Sequence, residues 1–173
     1  CLMVRTQALR GIGGYNEALI AGEDDDMCLR MQAAGWQTWC IAAPMTEHDA
    51  RLLSFAPWWR RAVRAGHSYA ELGVLHGAAQ AQRRRALVWG GYLPFLLFAG
   101  LFVYWPITIG IAVLYVLSVA RQWRRFRSIG LVPSRAAQAA ALLMASKFAE
   151  VAGMASYWLS RLRGRRLRLI EYK

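Results

Sequence analysis

Residues 86–120 run for 35 positions without a formal charge. A single helix of that length would extend roughly 50 Å, well past the roughly 30 Å hydrocarbon core of a bilayer. Two spans of ideal length would need about 40 residues. Pro94 and Pro106 offer interruptions, and Trp105-Pro106 suits a turn at the membrane interface. The stretch therefore reads as a transmembrane hairpin, about 86–104 and 106–121, inside a membrane segment covering 83–127. Its two ends carry Arg83-Arg84-Arg85 and Arg121, Arg124, Arg125 and Arg127. The positive-inside rule places both ends in the cytoplasm, which requires an even number of spans.

The formal net charge of +12 is divided unevenly. Residues 1–82 hold 7 Arg and 8 Asp/Glu, and residues 83–173 hold 15 Lys/Arg against Glu150 and Glu171. The excess sits in the half that is also most apolar, as membrane topology and anionic headgroups require. A soluble nucleic-acid module would interleave basic and polar residues on one folded face, so a nucleic-acid partner is excluded. Cys1, Cys28 and Cys40 form no CxxC pair and no even-numbered framework, which fits a reducing compartment. The chain opens without an initiator Met in the apolar run Cys1-Leu2-Met3-Val4. We read this as the middle of a buried strand, and the chain as part of a longer protein.

Residues 128–173 are apolar but broken by Lys147 and Glu150, and they end in Arg161, Arg163, Arg165, Arg166 and Arg168. They read as an amphipathic helix lying in the membrane interface with its arginines among phosphates. The uncharged stretch 136–146 leaves a third span open.

Residues 1–82 alternate short apolar runs with glycine-rich turns. Strands are expected at 1–5 and 36–42, the latter ended by Pro44. A helix capped by Asp24 or Asp25 is expected to run to about Ala34, with Gly35 just past its end. A second helix is expected from about Phe55 to Leu75. The fold class is thus α/β in the first part, followed by the hairpin and the interfacial helix.

Chemistry concentrates in Glu23-Asp24-Asp25-Asp26. Adjacent carboxylates repel one another. Negative charge at a helix N-terminus is stabilising and explains one or two of them. The alternative is general-base or cation chemistry, in which neighbouring carboxylates raise one pKa toward working pH. Around the run lie Gly13-Gly14-Tyr15-Asn16-Glu17 upstream, and Leu29-Arg30, Gly35-Trp36, Pro44 and His48 downstream. In this order and spacing, residues 11–48 resemble the second half of family 2 glycosyltransferases with a GT-A-type, Rossmann-like fold.

The resemblance implies a membrane-associated, inverting glycosyltransferase, of which residues 1–82 would form the C-terminal part of the catalytic domain. Asp24 matches the general base, with Glu23 positioning the acceptor or tuning Asp24. Asp26 matches a structural acidic position, and Arg30 matches the basic residue later on the same helix. Asp25 departs from the pattern, which usually has a neutral residue there. His48 matches a position that completes a divalent-metal site (Mn²⁺ or Mg²⁺) shared with an upstream donor-binding half. Imidazole suits Mn²⁺ better than Mg²⁺. A lone His is more often structural, and Glu47 and Asp49 beside it read equally well as solvated loop charges. At helical spacing Arg60 and Arg64 share a face, and so do Arg61 and Arg64. They admit two readings: contacts to a diphosphate or acceptor, or a basic amphipathic anchor with Trp58 and Trp59 at headgroup level.

The implied partners are a nucleotide-sugar donor, a glycan or lipid-linked acceptor and membrane lipids. The implied location is the inner or plasma membrane, with the catalytic part facing the cytoplasm. This portion alone is expected to be inactive, because the donor-binding half with its Asp-x-Asp motif is not within it. The alternative reading is a non-catalytic membrane protein whose acidic loop binds a cation or partner and whose arginines bind anionic lipid.

Overall fold

The computed structural model describes residues 2–42 and 54–164. Two short helices come first: α1 (Thr6–Gly11) and α2 (Glu23–Ala33). They are followed by α3 (Phe55–His76), α4 (Gln80–Leu87), a π-helical turn (Val88–Tyr92), α5 (Leu93–Val103), α6 (Trp105–Ser128) and α7 (Pro133–Leu162).

The α/β expectation is overturned. Among the described residues every regular element is helical and no strand is present. A strand exists only through a ladder, because each extended residue leaves an N–H and a C=O to be paired. Residues 2–5 and 37–42 find no such partner among the described residues. They instead border a cavity of about 560 Å³ against α2, lined by Val4, Ala8, Met27, Met31, Trp36 and Trp39 among others. Ala8, Met27 and Met31 form the apolar cluster beneath it, with Leu9 and Ile12 packed alongside.

The larger part of the molecule is a bundle in which α7 is the central element. Its contacts reach α3, α4, the π-helical turn and α6. Small residues make this closeness feasible. A side chain on Gly66 of α3 would run into the Glu150 backbone, and one on Gly153 of α7 would run into the Val63 carbonyl. Gly90, in the π-helical turn, lies equally close to the Lys147 carbonyl. Such backbone proximity is how helices associate where lipid removes the hydrophobic drive between them. Ala70, Ala86 and Met154 are buried at the three-way junction of α3, α4 and α7.

Three helical runs are long and apolar enough to cross a membrane: Gln80–Val103, Trp105–Ser128 and Pro133–Leu162. The first two meet at Tyr104, whose extended backbone (φ −160°) breaks the helix just before Trp105-Pro106. Pro106 lacks the N–H that a continuing helix would need, so it sits in the first turn of α6. Thr108 Oγ1 donates to the Leu97 carbonyl across this corner at 3.1 Å. Tyr115 on α6 donates its hydroxyl to the Trp89 carbonyl. The third run, α7, carries Lys147 and Glu150 near its middle. Lys147 Nζ lies 2.6 and 2.8 Å from the two Glu150 oxygens, and Ser146 Oγ donates to Glu150 at 3.0 Å. Glu150 is buried, and this local pairing lets an otherwise apolar helix carry it.

Candidate functional site

The site is built on a glycine loop, the first turn of α2 and one face of α3. Gly13 and Gly14 have φ of 78° and 79°, a left-handed geometry that side chains with a Cβ rarely adopt. This turns the loop so that its carbonyls face α2. Arg30 collects them, with Nη1 donating to Ile12 O at 2.8 Å and Nη2 to Gly14 O at 2.7 Å. Its Nε donates to Asp26 Oδ2 at 2.8 Å. Arg30 does stand in the last turn of α2, where a cation suits the helix dipole, yet all three donor groups are committed to specific acceptors.

The four carboxylates separate by helical geometry. Asp26 shares the inward stripe of Met27 and Met31 and is 1% exposed. Glu23, Asp24 and Asp25 all face solvent. The expected capping differs in the structure: the N-cap is Gly22, left-handed at φ 83°, and Glu23 to Asp26 fill the first turn. Gly22 is required there twice over. A Cβ would be strained at that φ and would overlap Ser68 Oγ of α3. The chain thus enters α2 pressed against α3, with the carboxylates next to four unpaired backbone N–H groups that favour negative charge. Tyr15 Oη donates to Asp24 Oδ1 at 3.3 Å, while Asn16 Oδ1 accepts from the Ala18 N–H at 3.1 Å and shapes the loop between them.

Residues not singled out from the sequence complete the arrangement. His76, at the end of α3, places Nε2 2.7 Å from Asp26 Oδ1. An ionised carboxylate only accepts, so Nε2 carries the proton of this bond. Glu71, one turn and a residue earlier, has its pKa raised by burial and by the nearby Asp26 carboxylate, with a backbone hydrogen bond from Ile20 opposing the shift. His67 stands 3.7 Å from Glu71 and packs edge-on against Tyr157 of α7; burial lowers its pKa. Nothing in the local sequence could reveal the Asp26–His76 pair, because 50 positions separate the two residues.

Of the other predicted residues, Arg64 reaches this region, its Nη2 donating to Ile20 O at 3.1 Å. Arg60 and Arg61 are exposed one turn earlier on α3, which starts with the stacked aromatic group Phe55, Trp58 and Trp59. His48, Glu47, Asp49 and Pro44 lie outside the described residues, as do Arg165, Arg166 and Arg168. Among the described residues no three His, Cys, Asp or Glu side chains converge as a metal site would require.

No family model matches this chain, and no solved structure matches it. Curated proteins do. The chain is 33% identical over 75 residues to a pre-mycofactocin glycosyltransferase of Mycobacterium tuberculosis (strain CDC 1551 / Oshkosh). The same values hold for the pre-mycofactocin glycosyltransferase of strain ATCC 25618 / H37Rv. The matched stretch is 43% of this chain but 16% of each relative. Over that part of its length the chain is related to glycosyltransferases.

Proposed function

We propose that this chain contributes the acceptor-side portion of a membrane-attached glycosyltransferase of the family 2 type. Its reaction would be an inverting transfer from a nucleotide sugar to a glycan or lipid-linked acceptor at the cytoplasmic membrane face. The observation that carries the reading is the split acidic run: three solvent-facing carboxylates held in place by a fourth that is buried and clamped. Relatedness to glycosyltransferases over 75 residues supports it. An acidic turn serving only the helix dipole would have no need of a buried Asp26 bound by both Arg30 and His76.

In this mechanism Asp24 accepts the proton of the acceptor hydroxyl as that oxygen attacks the anomeric carbon. The bond from that carbon to the nucleoside diphosphate breaks on the opposite face, and its electron pair leaves with the diphosphate. One displacement inverts the centre, so a single positioned base suffices. Tyr15, hydrogen-bonded to Asp24, orients the carboxylate, and Glu23 faces the same solvent-open side. Three helices long and apolar enough to cross a membrane support a lipid-linked acceptor.

The test uses the longer enzyme in which this portion is joined to its donor-binding half, in detergent, incubated with a panel of nucleotide sugars and membrane-lipid extract, with nucleoside diphosphate release as readout. Asp24→Asn is expected to lower turnover by roughly 10²–10⁴-fold, the usual contribution of a general base, with donor affinity retained. Turnover that survives Asp24→Asn would remove Asp24 from this role. If no donor is turned over, the alternative of a non-catalytic membrane protein gains, with its arginines at the ends of α4 and α6 serving anionic lipid.

A further inference from the structure

We infer that His76 is a positioning residue for the acidic run: through Asp26 it locks the first turn of α2, and with it Asp24, onto α3, the helix packed along α7. The inference rests on the reading of Asp24 given above. Three contacts on consecutive turns of α3 converge on the start of α2. Ser68 and Leu72 press on Gly22, Arg64 holds the Ile20 carbonyl, and His76 holds Asp26. Of these, the His76 bond alone reaches a side chain of the acidic run. Asp26 needs both of its partners. It is 1% exposed, Arg30 satisfies Oδ2 from within α2, and among the described residues only His76 reaches Oδ1 from another helix. Arg30 thus fixes Asp26 relative to its own helix and to the glycine loop, whereas His76 fixes α2 relative to the bundle.

The consequence is mechanical. α3 is itself pressed along α7 at Gly66 and Gly153, where backbone meets backbone. The position of Asp24 is therefore set by a chain of contacts running from α7 through α3 and His76 to Asp26. Asp24 stands two residues before Asp26 in the same helical turn, so a displacement of Asp26 displaces Asp24 with it. Misplacing a reacting group by about 1 Å can cost roughly 10²-fold in rate, so a latch that orients the turn is felt in turnover more than in binding.

The test compares His76→Ala, His76→Gln and His76→Asn in the same longer enzyme in detergent, on a background with Cys1, Cys40 and every cysteine of the donor-binding half replaced by Ser so that Cys28 is the remaining thiol. Glutamine can place an amide N–H near the position of Nε2, and asparagine is too short to do so. Expected for His76→Ala and His76→Asn is a fall in kcat of roughly 10²-fold with donor KM changed by less than about twofold, and recovery of most of the loss by His76→Gln. Alkylation of Cys28, half-buried on α2, by N-ethylmaleimide gives a readout independent of activity. It should quicken by about tenfold or more in His76→Ala and return toward the parent rate in His76→Gln, as losing a charge-assisted hydrogen bond implies. Parent-like kcat and parent-like Cys28 alkylation in His76→Ala would overturn the latch. Failure of the parent itself to turn over any donor would refute the glycosyltransferase reading instead. In that event the Cys28 rates alone decide the latch, an unchanged rate in His76→Ala rejecting it. If His76→Ala does not fold, His76→Gln and His76→Asn decide by the same two readouts, and equal behaviour of these two variants would likewise reject it.

Discussion

The two parts of this molecule are held together in opposite ways. Residues 2–42 bury few apolar side chains, chiefly Ala8, Met27 and Met31, and rely on charged groups to close their loops. Arg30 gathers two loop carbonyls and a buried carboxylate at once. The bundle from α3 to α7 uses glycine and alanine to bring backbones together over long helices, with Lys147–Glu150 as a local pairing inside one helix. A short segment has too little apolar area to bury, so directional bonds must supply its order. Long helices accumulate many weak contacts and need only the absence of obstructing side chains. The acidic run lies on the polar side of this divide and is joined to the other side through Gly22, Arg64 and His76.

Arg30→Ala should do the most damage, because it leaves Asp26 buried with one partner and releases the Ile12 and Gly14 carbonyls. A cost of about 3–5 kcal/mol to the α1–α2 segment is expected. Local proteolysis within residues 2–42, with the bundle remaining resistant, would show that the two parts fail separately. Loss of the whole fold would instead mean that they are one cooperative unit.

Gly153→Ala attacks the other principle by inserting one methyl where the Val63 carbonyl lies. Overpacking of this kind costs typically 1–3 kcal/mol, and the loss should appear as a lowered Tm of the bundle in detergent. If Gly153→Ala proved neutral, backbone proximity would not be what holds α3 to α7.

A smaller effect, with a definite pH dependence, is expected where the two parts meet. Burial and Asp26 raise the Glu71 pKa, so its ionised form is disfavoured in the folded chain and costs stability above the raised value. Glu71→Gln should therefore stabilise the protein at neutral pH, and the gain should fade as the pH falls toward the ordinary carboxylate value of 4.5. His67 has the opposite sense. Its pKa is lowered by burial, so as pH falls below the ordinary 6.5 the unfolded chain takes up a proton that the folded one resists, and stability drops. Chemical denaturation between pH 4 and 8 of the parent, Glu71→Gln and His67→Gln would separate the two contributions. A Glu71→Gln advantage independent of pH would contradict this assignment.

Asp25→Asn should change stability least, within about ±0.5 kcal/mol, because Asp25 is exposed. The same substitution at Asp26 alters a buried carboxylate bound by Arg30 and His76, so a comparison of the two isolates the effect of burial within one acidic run.

Much of this contrast was legible in the sequence. The charge-free stretch 86–120, broken at Trp105-Pro106, announces apolar helices that turn near residue 104, and the structure breaks at Tyr104. The second helix, expected from Phe55 to about Leu75, runs to His76, and Gly35 takes the left-handed position past α2 as its spacing suggested. The strands at 1–5 and 36–42 were misread because apolar runs are compatible with either state until a pairing partner is known. Helix geometry already placed Asp26 and Arg30 four residues apart on one face. It could not say whether that face was buried.

By itself, then, the sequence determined the apolar helices over residues 86–121 with their break near residue 104, and the location of the acidic run, because periodicity, charge and proline act over a few residues. Only the tertiary structure decided which carboxylate is buried, that Gly22 and Gly153 are contact points, and that His76 answers Asp26 from 50 positions away. Burial and long-range pairing depend on which faces meet, and no local pattern encodes that.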